Sequence, residues 1–92
     1  MNLFTIDFET YYDREYSLSR MSTEAYVFHE QFQIIMVSLK KNDGETEIFS
    51  SSNEKDYVKW LREKGVHRGA VLAHNMMFDG LILHRLGINT GS

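Results

Sequence analysis

The sequence predicts a small α/β domain, and three observations favour this fold class. Apolar and polar residues alternate near the N-terminus, as in a strand that is buried on one face. An Asp-Gly pair joins two further strand-like runs, which is typical of an antiparallel hairpin. Two later segments repeat apolar residues at helical spacing. With 92 residues and 42% hydrophobic content, the chain fits one domain with the element order βββαβα.

The first strand covers the sequence FTIDFET, residues 4–10. Because successive strand side chains point to opposite faces, Asp7 and Glu9 share one face. The opposite face holds Phe4, Ile6 and Phe8. Two carboxylates this close raise each other's free energy unless a cation, hydrogen bonds or protonation relieves the repulsion. Taken alone, the pair fits either a solvated strand end or a functional site.

A long excursion, residues 11–33, follows this strand and is rich in tyrosine, serine and charged residues. Within it, Ser22 or Thr23 can cap a short helix that runs to about His29, because a hydroxyl there satisfies free amides of the first turn. The pattern of this segment lacks the alternation of a strand.

The tyrosines of this excursion allow two interpretations. Tyr11, Tyr12 and Tyr16 can stack on single-stranded bases, with Arg14 and Arg20 near the phosphates. Alternatively, the tyrosines pack over the edge of the sheet, and this is the interpretation that we favour.

The middle of the chain predicts a hairpin followed by a helix. Residues 34–41 and 45–50 form two antiparallel strands, and the turn between them contains the Asp-Gly pair. Ser51 and Glu54 match a capping box, which predicts a helix that ends at Gly65. Its apolar stripe consists of Tyr57, Val58 and Leu61.

The last predicted elements are a short strand, residues 70–75, and a second helix, residues 76–87, that stops at a glycine. Its apolar stripe consists of Phe78, Ile82 and Leu86. Asp79 falls inside the same arc, so an acid faces the sheet. Asn75 lies one turn earlier on this face and can also cap the helix. An unpaired buried carboxylate costs several kcal/mol, so Asp79 indicates a site.

Asp7, Glu9 and Asp79 together describe a metal site made only of oxygen ligands. The motif contains no cysteine or histidine cluster, so Mg²⁺ or Mn²⁺ fits better than Zn²⁺. A pair of such ions can stabilise both the attacking and the leaving oxygen in phosphoryl transfer. The three acids therefore predict phosphodiester hydrolysis with a two-metal site.

Composition excludes several other classes. There are no cysteines, hence no disulfide framework and no thiolate chemistry. The net charge of −3 argues against a protein that holds duplex nucleic acid by a basic surface, although it allows a nuclease whose cations supply positive charge. No signal peptide or membrane-spanning run is visible, so a cytoplasmic setting is expected.

Two short motifs resemble a known family. IDFET at residues 6–10 and HNMMFD at residues 74–79 are similar to the first two motifs of the DEDD 3′–5′ exonucleases, and their order and separation agree as well. The longer run DFETYYDREYSLSRMSTEAYV resembles the proofreading domain at the N-terminus of phage-type family A DNA polymerases.

This resemblance implies a ribonuclease-H-like three-layer fold with a mixed sheet, and residues 1–92 would form a partial exonuclease domain. The implied substrate is the 3′ end of single-stranded DNA, and the implied partner is the rest of a DNA polymerase polypeptide. Asp7, Glu9 and Asp79 would be the catalytic and metal-binding acids. The implied substrate contacts are Phe8, Thr10, His74, Asn75 and Phe78. For His74, a hydrogen-bonded structural role is favoured over that of a catalytic base.

One departure from the family concerns its third motif, which supplies a fourth Asp and a Tyr or His base on a later helix. That motif is not found in residues 1–92, so the Tyr or His subclass cannot be read. We therefore expect a chain that lacks the family's last strand and helix and has little activity alone. We also expect apolar surface near the strand at residues 70–73 or near Leu81, Leu83 and Leu86, and a homodimer that covers it.

Two alternatives stay open. One is an RNA-trimming exonuclease of the same superfamily, which the polymerase-like run of residues 7–27 disfavours. The other is a non-catalytic remnant that binds metal, single-stranded nucleic acid or protein, which the missing third motif supports.

Overall fold

The computed structural model describes residues 1–88, and all predicted elements are present. In chain order they are β1 (Leu3–Thr10), α1 (Thr23–Val27), β2 (Ile34–Lys41), β3 (Thr46–Phe49), α2 (Glu54–Lys64), a 3-10 turn (Val66–Arg68), β4 (Ala70–Ala73) and α3 (Met76–Arg85). None of the helices within residues 1–88 is long and apolar enough to cross a membrane.

The four strands form one mixed sheet in the order β3-β2-β1-β4. β1 pairs antiparallel with β2 over almost its whole length, and β3 continues the hairpin at the edge. β4 pairs parallel with β1, but only from Leu3 opposite Ala70 to Ile6 opposite Ala73. The second half of β1 therefore extends beyond the end of β4. This leaves one side of β1 open to α3.

The alternation of β1 separates a buried face from an open one. Phe4, Ile6 and Phe8 are buried, together with apolar residues of all three helices. The helices contact one another on this face, since Arg85 of α3 binds Glu54 of α2 and the carbonyl of Val27 of α1. The arrangement fits a three-layer α/β fold, of which residues 1–88 provide the sheet and the helical layer on one face.

The opposite face of the sheet is not covered by any residue of the described chain. Two of its apolar side chains, Ile48 and Leu72, are 65% and 54% exposed. The expectation of uncovered apolar surface is thus confirmed at β4 and wrong at α3. There Leu83 and Leu86 are buried in the core, because α3 turns that side toward the sheet.

The helix caps follow the sequence with one correction. Ser22 caps α1, Gly65 ends α2 with φ at 86°, and Asn75 caps α3 by accepting from the amide of Phe78. The predicted capping box at Ser51 is wrong, because α2 begins two residues later. Its cap is Asn53, whose side chain accepts from the amide of Lys55.

Two strands are also shorter than predicted. β3 spans Thr46–Phe49, because the turn before it is wider than a two-residue hairpin loop, and Asn42 rather than Gly44 adopts the left-handed conformation with φ at 54°. β4 ends at Ala73, because the next two residues form the turn that leads into α3. α3 itself spans Met76–Arg85, and Gly87 terminates it as predicted, with φ at 71°.

Candidate functional site

Asp7 and Glu9 lie on the open face of the sheet, as the alternation of β1 predicts. Both side chains are exposed, and their neighbours across the ladder to β2 are Ser38 and Met36. None of these neighbours is a cation that could neutralise the two carboxylates. The open face therefore presents two negative charges on the central strand.

Asp79 is the only buried charged residue in the described part of the chain, with 1% of its surface exposed. It lies in the first turn of α3, and its Oδ1 accepts a hydrogen bond of 3.3 Å from the backbone amide of Phe8. Phe8 lies beyond the end of β4, so its amide faces α3 instead of another strand. Since Phe8 is the residue between Asp7 and Glu9, the Asp79 carboxylate reaches the backbone of the acidic motif.

The surroundings of Asp79 disfavour its charged form. The pKa of Asp79 is raised to about 6, mainly by burial and to a smaller extent by the charges of Asp7 and Glu9. The backbone amides of Phe8 and Asn75 act in the opposite direction and lower the pKa. Because Asp7 and Glu9 raise the pKa of Asp79, the three acids are close enough to interact electrostatically.

The three acids are nevertheless not drawn into one compact ligand group. Across residues 1–88, no set of three His, Cys, Asp or Glu side chains is close enough to hold a metal ion together. Asp7 and Glu9 extend from the open face, whereas Asp79 is turned toward the amide of Phe8.

A pocket of about 290 Å³ opens beside this cluster at the end of β1. Its lining residues are Phe8, Glu9, Thr10, Tyr12, Ser17, Leu18, Tyr26 and Phe78. Four of the predicted site residues therefore meet in one cavity. His74 and Asn75 do not line it: both are exposed in the turn before α3, where Asn75 serves as the helix cap.

Of the four other lining residues, only Tyr12 was considered for a ligand contact from the sequence, as a candidate for base stacking, whereas Ser17, Leu18 and Tyr26 were not predicted. Tyr12, Ser17 and Leu18 belong to the excursion after β1, and Tyr26 comes from α1. The tyrosine-rich composition of the excursion was the available signal, but it did not distinguish pocket residues from packing residues.

The tyrosines of the excursion divide between the two interpretations. Tyr16 is 1% exposed, stacks on Tyr26 with ring centroids 4.5 Å apart, and donates its hydroxyl to the Tyr26 carbonyl, so it is a packing residue. Burial raises the pKa of Tyr16 to about 12. Tyr11 is half-buried, and Tyr12 is exposed at the pocket rim. The favoured packing interpretation is therefore confirmed for Tyr16, and base stacking stays an open alternative for Tyr12.

Comparison with solved structures finds a similar fold in part of a DNA polymerase. No protein-family profile and no curated protein matches the chain. Among solved structures, the family B DNA polymerase of the hyperthermophilic archaeon Pyrobaculum calidifontis is similar, with a TM-score of 0.52 and 16% identity. The match covers 95% of this chain and 11% of the polymerase. At this identity the likeness shows the fold alone, and it does not test the resemblance to family A.

Proposed function

We propose that the chain is a 3′–5′ exonuclease domain that uses divalent metal ions and edits the 3′ end of single-stranded DNA within a DNA polymerase polypeptide. One observation carries this proposal. A buried carboxylate, Asp79, binds the backbone between two exposed carboxylates, Asp7 and Glu9, next to a pocket. The similarity to part of a DNA polymerase supports the polymerase context.

The side chains at the site fit Mg²⁺ or Mn²⁺ in kind. All three are carboxylates, the ligands that these hard cations prefer, and Mg²⁺ commonly binds through few carboxylates together with substrate phosphate. Asp7, Glu9 and Asp79 would therefore hold the ions when the nucleic acid is present. Such ions, when bound, supply positive charge to the phosphate and to the water that attacks it.

The pocket supports a single unstacked nucleotide as the ligand. Two aromatic residues of its lining are accessible, the exposed Tyr12 and the half-buried Phe78, and aromatic rings bind bases without regard to sequence. Its volume is close to the lower end of small-ligand pockets, about 300 Å³. The rings of Tyr26 and Phe78 pack against each other with their centroids 6.1 Å apart. This side of the pocket is therefore formed before a ligand binds.

We infer that the 92-residue chain has little exonuclease activity by itself. The family that the sequence resembles uses a fourth acid and a Tyr or His base, and residues 1–88 supply three acids that are not gathered into one group. Groups that act as a unit in catalysis are strongly non-additive, so three ligands out of four do not give three quarters of the rate.

Digestion of single-stranded DNA in Mn²⁺ tests both statements. The proteins compared are the 92-residue chain, a longer polypeptide that contains the third motif of the family, and the Asp79→Ala variant of each. We expect the longer protein to release mononucleotides from the 3′ end, Asp79→Ala in the longer protein to abolish the release, and the short chain to be nearly inactive. Equal rates for the short and long chains would contradict the inferred dependence on the third motif.

A second candidate function is binding of single-stranded nucleic acid without hydrolysis, and it is favoured by the separation of the three carboxylates. An arm with single-stranded RNA and an arm without metal distinguish the possibilities. Binding without any product from the longer protein supports the non-catalytic function. Faster digestion of RNA than of DNA supports the RNA-trimming alternative.

A further inference from the structure

The hydroxyl of Tyr26 lies at the junction of α1 and the end of β1. Tyr26 is buried, and its hydroxyl donates to the backbone carbonyl of Tyr11. The same oxygen lies 2.9 Å from the hydroxyl of Thr10. Tyr26 is therefore hydrogen-bonded to two consecutive residues that follow Glu9.

The direction of these hydrogen bonds is fixed by chemistry. A carbonyl can only accept, so the single hydroxyl proton of Tyr26 is used in the bond to Tyr11. The bond between Thr10 and Tyr26 must then be donated by Thr10. Consequently the Thr10 oxygen retains lone pairs but no free proton, and it can act toward a ligand only as an acceptor.

Tyr26 is held so that this arrangement is stable. Tyr16 stacks on one face of its ring, and the hydroxyl of Tyr16 donates to the backbone carbonyl of Tyr26. Phe32 contacts the ring by its edge, with centroids 6.3 Å apart. These contacts restrict the tyrosine ring, so its hydroxyl keeps its place beside Thr10.

One edge of the pocket therefore offers the hydroxyl oxygen of Thr10 as an acceptor, one residue after Glu9 in the chain. The aromatic wall that includes Phe78 lines the same cavity. In a nucleotide, the sugar connects the base to the phosphate, so a base on the wall and a phosphate near the acids place the sugar at this edge. The donors on a sugar are its hydroxyl groups.

We propose that Tyr26 is a positioning residue, which fixes the Thr10 hydroxyl so that its oxygen accepts a hydrogen bond from a sugar hydroxyl of the terminal nucleotide. This inference rests on the proposed function, because its ligand is the end of a nucleic acid. The hydroxyl can be the 3′ group of either sugar or the 2′ group of a ribonucleotide, and the experiment separates these sources.

Four variants test the proposal. Thr10→Val removes the acceptor at constant shape, and Thr10→Ser restores it. Tyr26→Phe removes the group that fixes the Thr10 proton. Tyr57→Phe is the matched control, because Tyr57 is equally buried and its hydroxyl also bonds to backbone, but it does not line the pocket.

The measurement is the affinity for short single-stranded DNA in Ca²⁺, with probes that end in a deoxynucleotide, a dideoxynucleotide or a ribonucleotide. One neutral hydrogen bond predicts that the parent chain binds the deoxy end about threefold to tenfold more tightly than the dideoxy end. This ratio should fall to about one in Thr10→Val and Tyr26→Phe and persist in Thr10→Ser and Tyr57→Phe. If the 2′-hydroxyl is the donor, only the ribonucleotide end shows the preference.

A parent chain without any preference for hydroxyl-bearing ends, or a preference that survives Thr10→Val, would overturn the inference. Loss of the preference in Thr10→Val with full retention in Tyr26→Phe would overturn the role of Tyr26.

NMR of the free protein separates a failure of this inference from a failure of the proposed function. A slowly exchanging Thr10 hydroxyl proton that contacts the Tyr26 ring is expected, and it should be lost in Tyr26→Phe. Its absence from the parent chain overturns the inference whether or not nucleic acid binds. Its presence in a chain that binds none of the probes overturns the proposed function and, with it, the sugar contact.

Discussion

The two faces of β1 differ in role: one packs in the core and stabilises the fold, and the other carries the carboxylates of the candidate site. Phe4, Ile6 and Phe8 are buried under the helices, whereas Asp7 and Glu9 face outward from positions between and beside them. The buried and the outward-facing residues have the same backbone geometry. They differ only in whether they occupy an even or an odd position along the strand. Replacing a residue on one face should therefore change folding, and replacing its neighbour should change binding.

The largest expected effect is on the buried face. Ile6→Ala should lower the free energy of unfolding by about 2–5 kcal/mol, because it removes buried methyl groups and leaves a cavity in the core. Thr5→Ala, one residue away on the open face, should change it by less than about 0.5 kcal/mol. Urea denaturation of both variants measures the difference. Similar losses in the two variants would show that the open face is covered in solution.

Asp79 links the two faces, and its pKa predicts a stability that depends on pH. The folded-state pKa of about 6 lies above the ordinary 3.8, so between these values the folded state binds more protons than the unfolded state. Stability should therefore fall as pH rises from about 4 to 7, by up to roughly 3 kcal/mol. Asp79→Asn should remove this loss and stabilise the chain at pH 7.5 but not at pH 4.

Denaturation curves at both pH values measure this effect, and Asp43→Asn in an exposed turn is the control. The control should retain the pH dependence of the parent chain. If Asp79→Asn destabilises the protein at pH 7.5, then the carboxylate is a net stabilising partner of the Phe8 amide.

Metal ions should produce a smaller effect on the open face. An ion that binds only the folded state at ten times its Kd adds about 1.4 kcal/mol to the free energy of unfolding. Mn²⁺ should thus raise the Tm of the parent chain by several degrees, and Asp7→Asn should reduce the shift although Asp7 contributes nothing to the core. Thermal melts with and without Mn²⁺ decide this. Equal shifts in the parent chain and in Asp7→Asn would remove Asp7 from the site.

The smallest effect on stability is expected for the apolar residues of the open face. Leu72→Lys should change the free energy of unfolding by less than about 0.5 kcal/mol, since Leu72 is exposed on β4. We expect the parent chain to dimerise at high concentration through this surface, and the variant to dimerise less. Light scattering over a concentration series measures this, with Ser52→Lys as the control for added charge. A parent chain that stays monomeric would contradict it.

The sequence predicted most local features because they follow from backbone geometry. The alternation in β1 assigned the faces of Asp7 and Glu9, and the helical stripe placed Asp79 toward the sheet, as observed. The cap of α2 was predicted at the wrong residue, because Ser51 and Asn53 are both competent caps and local pattern does not choose between them.

What the sequence by itself determined was the set of elements, the buried sides of β1, α2 and α3, and the three acids, because periods of two and of 3.6 residues depend only on neighbouring positions. Tertiary structure decided which distant residues meet. Only packing placed all three helices on one face, buried Tyr16, and brought Tyr26 of α1 to Thr10 of β1 to complete the pocket. Such contacts depend on how the excursion after β1 folds back over the strand end, and no local period in the chain encodes that path.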